Sequence, residues 1–188
     1  MGFIFIMKKM LKRLKKHPFA VEAYFKYSLV LTYAYEASAL ANKIPPGLQL
    51  DLYKDRWAFV AVAMVQTQNL RPKGVPRFLK RDFFLVGYRI FVRYKTSSGQ
   101  RLRGLYILRS ETNKLQMKLL GNVFTNYNYS KINMIAVDSG SQIDVHVPAS
   151  NFTVIAKTKI NEDCNLPLES PFENWRQART CGSDAIYF

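Results

Sequence analysis

Histidine, cysteine and acidic residues are scarce in this sequence, and each scarcity closes off a kind of chemistry. The 2 cysteines in 188 residues, Cys164 and Cys181, lack CxxC spacing and paired histidines, so neither a zinc site nor a disulfide framework is indicated. A reduced, cytoplasmic setting fits best. His17 and His146 are the 2 histidines, and no GxSxG, phosphate-loop or HExxH pattern occurs. No metal and no cofactor is therefore implied. No apolar run approaches the ~20 residues that a membrane-spanning helix needs. Phe3-Ile4-Phe5-Ile6-Met7 is too short for a signal-peptide core and precedes its lysines, whereas secretion signals place the charges first.

Only 13 Asp and Glu oppose 28 Lys and Arg, which leaves a formal charge of +15. The excess lies upstream of residue 132, in one cluster of Lys8, Lys9, Lys12, Arg13, Lys15 and Lys16 and in another from Arg71 to Arg109. Basic surfaces of this kind meet nucleic acid, anionic lipid or small anions, although most are solvated faces without a dedicated polyanion partner. Residues 1–16 read as a basic leader, either disordered or a short amphipathic helix with Met7, Met10, Leu11 and Leu14 on one side. Residues 17–188 suit a single domain, since a chain of this length buries roughly 70% of its unfolded surface.

Aromatic residues are abundant, with 13 Phe and 11 Tyr, and they tilt the composition towards strands. Ser28 to Tyr35 reads as a strand, Glu36 to Asn42 as a helical turn, and Leu48 to Tyr53 as an extended segment before a Lys54-Asp55 turn. Trp57 to Val65 is nearly continuous in apolar residues, as a buried central strand would be. Leu70 to Leu79, with Pro72, Gly74 and Pro76, reads as loop. Ser110 is the expected N-cap of a helix with Glu111 in its first turn and Gly121 as its terminator. Three short strands follow, at 132–137, 143–147 and 152–159, with Asp144 and His146 on the polar face of the second. Ser170-Pro171-Phe172-Glu173 reads as a capping box that opens a last helix. Ala185-Ile186-Tyr187-Phe188, with which the sequence ends, looks like the start of a strand, either of a shortened sheet or as its edge strand.

The clearest local pattern is a hairpin. Phe84, Val86, Tyr88, Ile90, Val92 and Tyr94 share one parity with Arg89 and Arg93 on the other, and after Ser97-Ser98-Gly99 the return strand sets Leu102, Gly104, Tyr106 and Leu108 against Arg101, Arg103 and Arg109. A turn that pairs Thr96 with Gln100 puts Arg93 opposite Arg103. Facing like charges repel unless solvent or an anion lies between them.

The string Ile44-Pro45-Pro46-Gly47-Leu48-Gln49-Leu50-Asp51 resembles the proline-proline-glycine loop of an uncharacterised bacterial family related to acetoacetate decarboxylase, DUF2071. Trp57–Gln66, Asp82–Tyr94, Arg101–Ser110 and Gly121–Tyr129 match its following elements in order. The resemblance implies an α+β fold, in which a strongly curved antiparallel sheet closes towards a cone or barrel with a few outer helices and a cavity inside. In the decarboxylases a lysine after an aromatic-proline pair forms a Schiff base. The corresponding stretch here, Asn126-Tyr127-Asn128-Tyr129, has no lysine, and Lys131 lacks a lysine beside it.

The resulting expectation is a cavity that binds a small anionic or carbonyl-bearing molecule without Schiff-base chemistry, and no catalytic residue is assigned. Guanidinium groups suit carboxylate and phosphate, so Arg89, Arg93, Arg103 and Arg109 are the candidate anion ligands. Tyr127, Asn128 and Tyr129 are the candidates for orienting the ligand. A small molecule is the expected partner, and a homo-oligomer is compatible with the sequence. The alternative is a basic module that binds nucleic acid or anionic membrane.

Overall fold

The computed structural model describes residues 20–76, 78, 80–157, 165–183 and 186–187. The basic leader and Cys164 lie outside the described residues. The elements in chain order are β1 (Val21–Glu36), α1 (Ala37–Ala41), β2 (Leu48–Leu50), β3 (Trp57–Pro72), β4 (Arg81–Lys95) and β5 (Arg101–Thr112). After these come α2 (Leu115–Phe124), β6 (Tyr129–Lys131), β7 (Ile135–Asp138), β8 (Gln142–Val147), β9 (Phe152–Lys157), α3 (Trp175–Ser183) and β10 (Ile186–Tyr187). The fold is α+β and mostly strand. Among the described residues no helix is long and apolar enough to cross a membrane.

Seven strands form one sheet in the order β1-β3-β4-β5-β10, with β2 also on β4 and β6 also on β5. Among the described residues no pairing closes this order on itself. The sheet is mixed rather than wholly antiparallel, because β6 and β10 both run parallel to β5. The helical crossover between β5 and β6 makes this pairing direction available, as a tight hairpin could not. A second sheet has the order β7-β8-β9. Its middle strand buries Val145 and Val147 and leaves His146 exposed, as the alternation predicts.

Several boundaries differ from the sequence reading; β1, for one, begins at Val21 rather than at Ser28. β3 continues through Leu70 and Arg71 to Pro72, because a proline at the last position of a strand breaks no interior ladder. β5 runs on through Ser110 and Glu111 to Thr112, so Ser110 caps no helix. Ser110 pairs instead with Tyr129 and Glu111 with Ser130, and α2 begins only at Leu115 with Gly121 inside it. The last helix starts at Trp175 rather than at Pro171, with the Asn174 side chain accepting the Gln177 amide at 3.0 Å.

The chain divides into two compact units, each assembled from three stretches. The first comprises the chain up to Leu29, Ala63–Gly87 and Arg109–Lys159. In it Phe83, Leu85 and Tyr129 form a buried cluster with Leu70, Met117 and Tyr127 packed against it. Phe84 and Val86, of opposite parity on β4, are also buried, so this stretch of strand is covered on both faces.

The second unit comprises Val30–Val62, Tyr88–Leu108 and Ile160–Phe188. Strand alternation splits its core in two. Ala58, Ile90 and Val92 join Leu40 in one cluster, while Phe59, Ala61, Phe91 and Leu105 form another against Tyr53, Phe172 and Cys181. Covering both faces accounts for the uninterrupted apolar run that opens β3.

Candidate functional site

The hairpin turn pairs as its sequence predicts, with the Thr96 amide donating to the Gln100 carbonyl at 2.9 Å. The charge that lies between the facing arginines belongs to the protein itself. Asp51, at the end of β2 and 4% exposed, accepts Arg93 Nε on Oδ1 and Arg103 Nε on Oδ2, each at 2.6 Å. Sequence reasoning quoted Asp51 in the proline-glycine string but gave it no role. A partial signal was there, because two arginines set face to face call for solvent or an anion between them, and it is the pairing of Leu50 with Val92 that brings Asp51 to that end of the hairpin.

This carboxylate clamp also places a helix. Arg103 Nη2 donates to the Cys181 carbonyl at 2.9 Å, in the last turn of α3, where carbonyls lack intrahelical partners and a cation is favoured. The Tyr53 hydroxyl donates to Gln177 Oε1 at 3.1 Å, and Lys54 Nζ pairs with Glu173 at 3.1 Å. Just ahead of the helix, Phe172 stacks on Phe59 with ring centroids 5.5 Å apart and meets the Tyr53 ring at 4.8 Å.

Helix α3 so held forms one wall of a groove of about 640 Å³ within the second unit. Val30 to Ala34 of β1 form another wall, and Leu166, Pro167, Glu169, Ser170 and Pro171 also line the groove. Phe59, Phe91 and Phe172 are the aromatic floor, with Phe59 and Phe91 edge to face at 6.2 Å. Arg179 is the lining cation and Glu169 the lining carboxylate. The free Cys181 thiol also reaches the groove; its burial, and then the Asp51 carboxylate, push it above the ordinary thiol range. The groove can thus take an apolar or aromatic body and present one guanidinium to a charged end.

None of the seven residues singled out from the sequence lines this groove. Arg93 and Arg103 come together, but on Asp51. Arg89 is half-buried on β4. The remaining four belong to the first unit. Arg109 pairs with the buried Glu111. Asn128 is exposed in a left-handed conformation with φ 50°, and the Tyr127 ring lies 6.0 Å from that of Tyr129. Tyr129 is buried. The Asn122 side chain fixes it by accepting its amide at 2.7 Å and donating to its carbonyl at 2.9 Å. Residue 121 must be glycine here, since a Cβ would sit 2.3 Å from Tyr129 Cδ2. These contacts make Tyr129 a packing residue between β6 and α2. Among the described residues no group of three His, Cys, Asp or Glu is arranged to hold a metal ion.

Comparison with known families identifies the uncharacterised family that the loop and hairpin motifs resemble. The model of the family DUF2071, described as an uncharacterised conserved protein, matches residues 23–183. Among curated proteins none matches the sequence. With nearly the whole described chain inside that match, the protein belongs to the DUF2071 family.

Proposed function

We propose that this protein binds a small anionic or carbonyl-bearing molecule with an apolar body in the groove beside α3. The observation that carries the reading is the pairing of an aromatic floor with a lining guanidinium in one concavity of ligand size. Arg179 takes the role that the sequence pattern assigns to the hairpin arginines. Arg93 and Arg103 act one step back, by holding α3 through Asp51 and the Cys181 carbonyl.

The order of the loop and strand motifs supports a relationship to the acetoacetate decarboxylases, including a sheet that curves towards a cone. Their imine chemistry is not part of the proposal. An imine-forming lysine is activated by desolvation or by a neighbouring cation, and Lys114, Lys118 and Lys131 are all exposed.

A thermal-shift screen of aryl and alkyl carboxylates, with matched ketones and alcohols, tests the reading on the wild type and on Arg179→Ala. A ligand at a hundredfold excess over its Kd stabilises by about 2.7 kcal/mol, a shift of several degrees. The expected result is a carboxylate or keto acid that stabilises the wild type, stabilises Arg179→Ala much less, and loses its effect as the alcohol. If no carboxylate or carbonyl compound moves the wild-type midpoint, the proposal fails.

A further inference from the structure

Helix α2 carries apolar residues on both faces, where a surface helix would keep its outer face polar. Met117 packs into the cluster of Phe83, Leu85 and Tyr129 and Gly121 is buried against the Tyr129 ring, which fixes the inward face. The opposite face should be polar. Instead Leu115, Leu119 and Val123, spaced four apart, form an outward stripe with Leu120 beside it, and they are 54%, 58%, 37% and 54% exposed. Gln116 is the polar residue in this outward arc.

The charges that the helix and its following strands bring to the stripe are of one sign. Lys114 at the helix start, Lys118 on its flank and Lys131 at the end of β6 are exposed, and no Asp or Glu occurs from Thr112 to Val137. We infer that the outer face of α2 docks on an anionic lipid surface, with the leucines entering the headgroup boundary and the lysines meeting the charge. Lysine stems can lie along the apolar face while their ammonium groups reach the phosphates. Shallow apolar insertion combined with the flanking lysines gives the two signals that stable peripheral attachment requires.

A second copy of the chain is the poorer occupant. A stable dimer buries about 800 Å² per partner, and four aliphatic side chains already partly covered fall well short of that. A lipid surface needs no such minimum and also uses the lysines, which two copies of the same stripe would set against each other.

Co-sedimentation of the full chain with phosphatidylcholine vesicles, with and without phosphatidylserine, tests the inference at about 0.15 M salt, where surface charge alone is largely screened. The wild type is expected to bind the serine-containing vesicles and not the neutral ones. Leu115→Glu/Leu119→Glu should lower that binding at least about tenfold, with its thermal midpoint unchanged because both side chains are exposed. Three results would overturn the inference: no binding by the wild type, equal binding by the double variant, or a wild-type dimer that the double variant converts to monomer. If the double variant does not fold, Leu119→Cys carrying a polarity-sensitive dye decides. Its emission should shift to the blue with the serine-containing vesicles, and unchanged emission would refute lipid docking.

Discussion

Asp51 and Gly121 show how much a single position can hold. Asp51 spreads one carboxylate over two guanidiniums, and removing the charge leaves two arginines face to face. Breaking a buried ion pair from one side costs about 3–5 kcal/mol; with Arg93 near half exposed, Asp51→Asn should cost about 2–3 kcal/mol. Urea denaturation measures this, and Arg93→Gln added to Asp51→Asn should return part of the loss. Gly121→Ala has two opposed effects. Alanine favours a helix interior by about 1 kcal/mol, but the added Cβ meets the Tyr129 ring at a separation that real atoms do not adopt. The ring is buried and its backbone is pinned on both sides by Asn122, so the clash wins and a net loss of about 1–3 kcal/mol is expected. In a Tyr129→Ala background the same substitution should become neutral or stabilising. The facing of Arg93 and Arg103 hinted at a charge between them without naming Asp51, and Gly121 was not legible as a packing residue, since it acts through a ring on the strand after its own helix.

Periodicity located most of the strands and helices, and missed where long-range pairing overrides a local signal. Ser110-Glu111 has the composition of a helix start, yet it stays extended because Tyr129 and Ser130 return to pair with it. The run from Trp57 was legible as buried, and its two separate cores follow from alternation alone. For α3 the sequence showed the helix but not its anchors on Tyr53, Lys54 and Arg103. One of these anchors, an exposed ion pair of the kind that contributes little to stability, should make the hold on α3 slightly dependent on pH. The hydrogen bond from Lys54, and then that from Gln177, hold the Glu173 carboxyl below its ordinary range, while the same bond raises Lys54. The carboxylate's contribution is therefore present above the ordinary carboxyl pKa and lost as pH falls through the lowered one. The lysine's contribution is present below its ordinary pKa and lost only as pH rises through the raised one. Thermal midpoints of wild type and Glu173→Gln should differ at neutral pH and converge below about pH 4; a constant gap down to pH 3 would mean that the pair does not secure the helix.

For the molecule as a whole, the ordered series of motifs from Ile44 to Tyr129 was enough to indicate the family, whereas the groove was not legible. Its walls come from Val30–Ala34, from Phe59 and Phe91, and from 166–181, stretches too far apart for spacing to connect. The excess of basic residues was visible at once, but the sequence could not show that Asp51 and Glu111 engage three of the hairpin arginines. Strands β1, β3, β4 and β5 each begin in one unit and finish in the other, so neither unit corresponds to a continuous length of chain. No single cut or truncation can then liberate one as an autonomous fragment. During synthesis the first unit must wait for the β6 and β7–β9 stretches and the second for α3 and β10. Formation of either is thus a non-local event, of the kind that slows folding and leaves apolar strands exposed to aggregation until its distant stretches have been made.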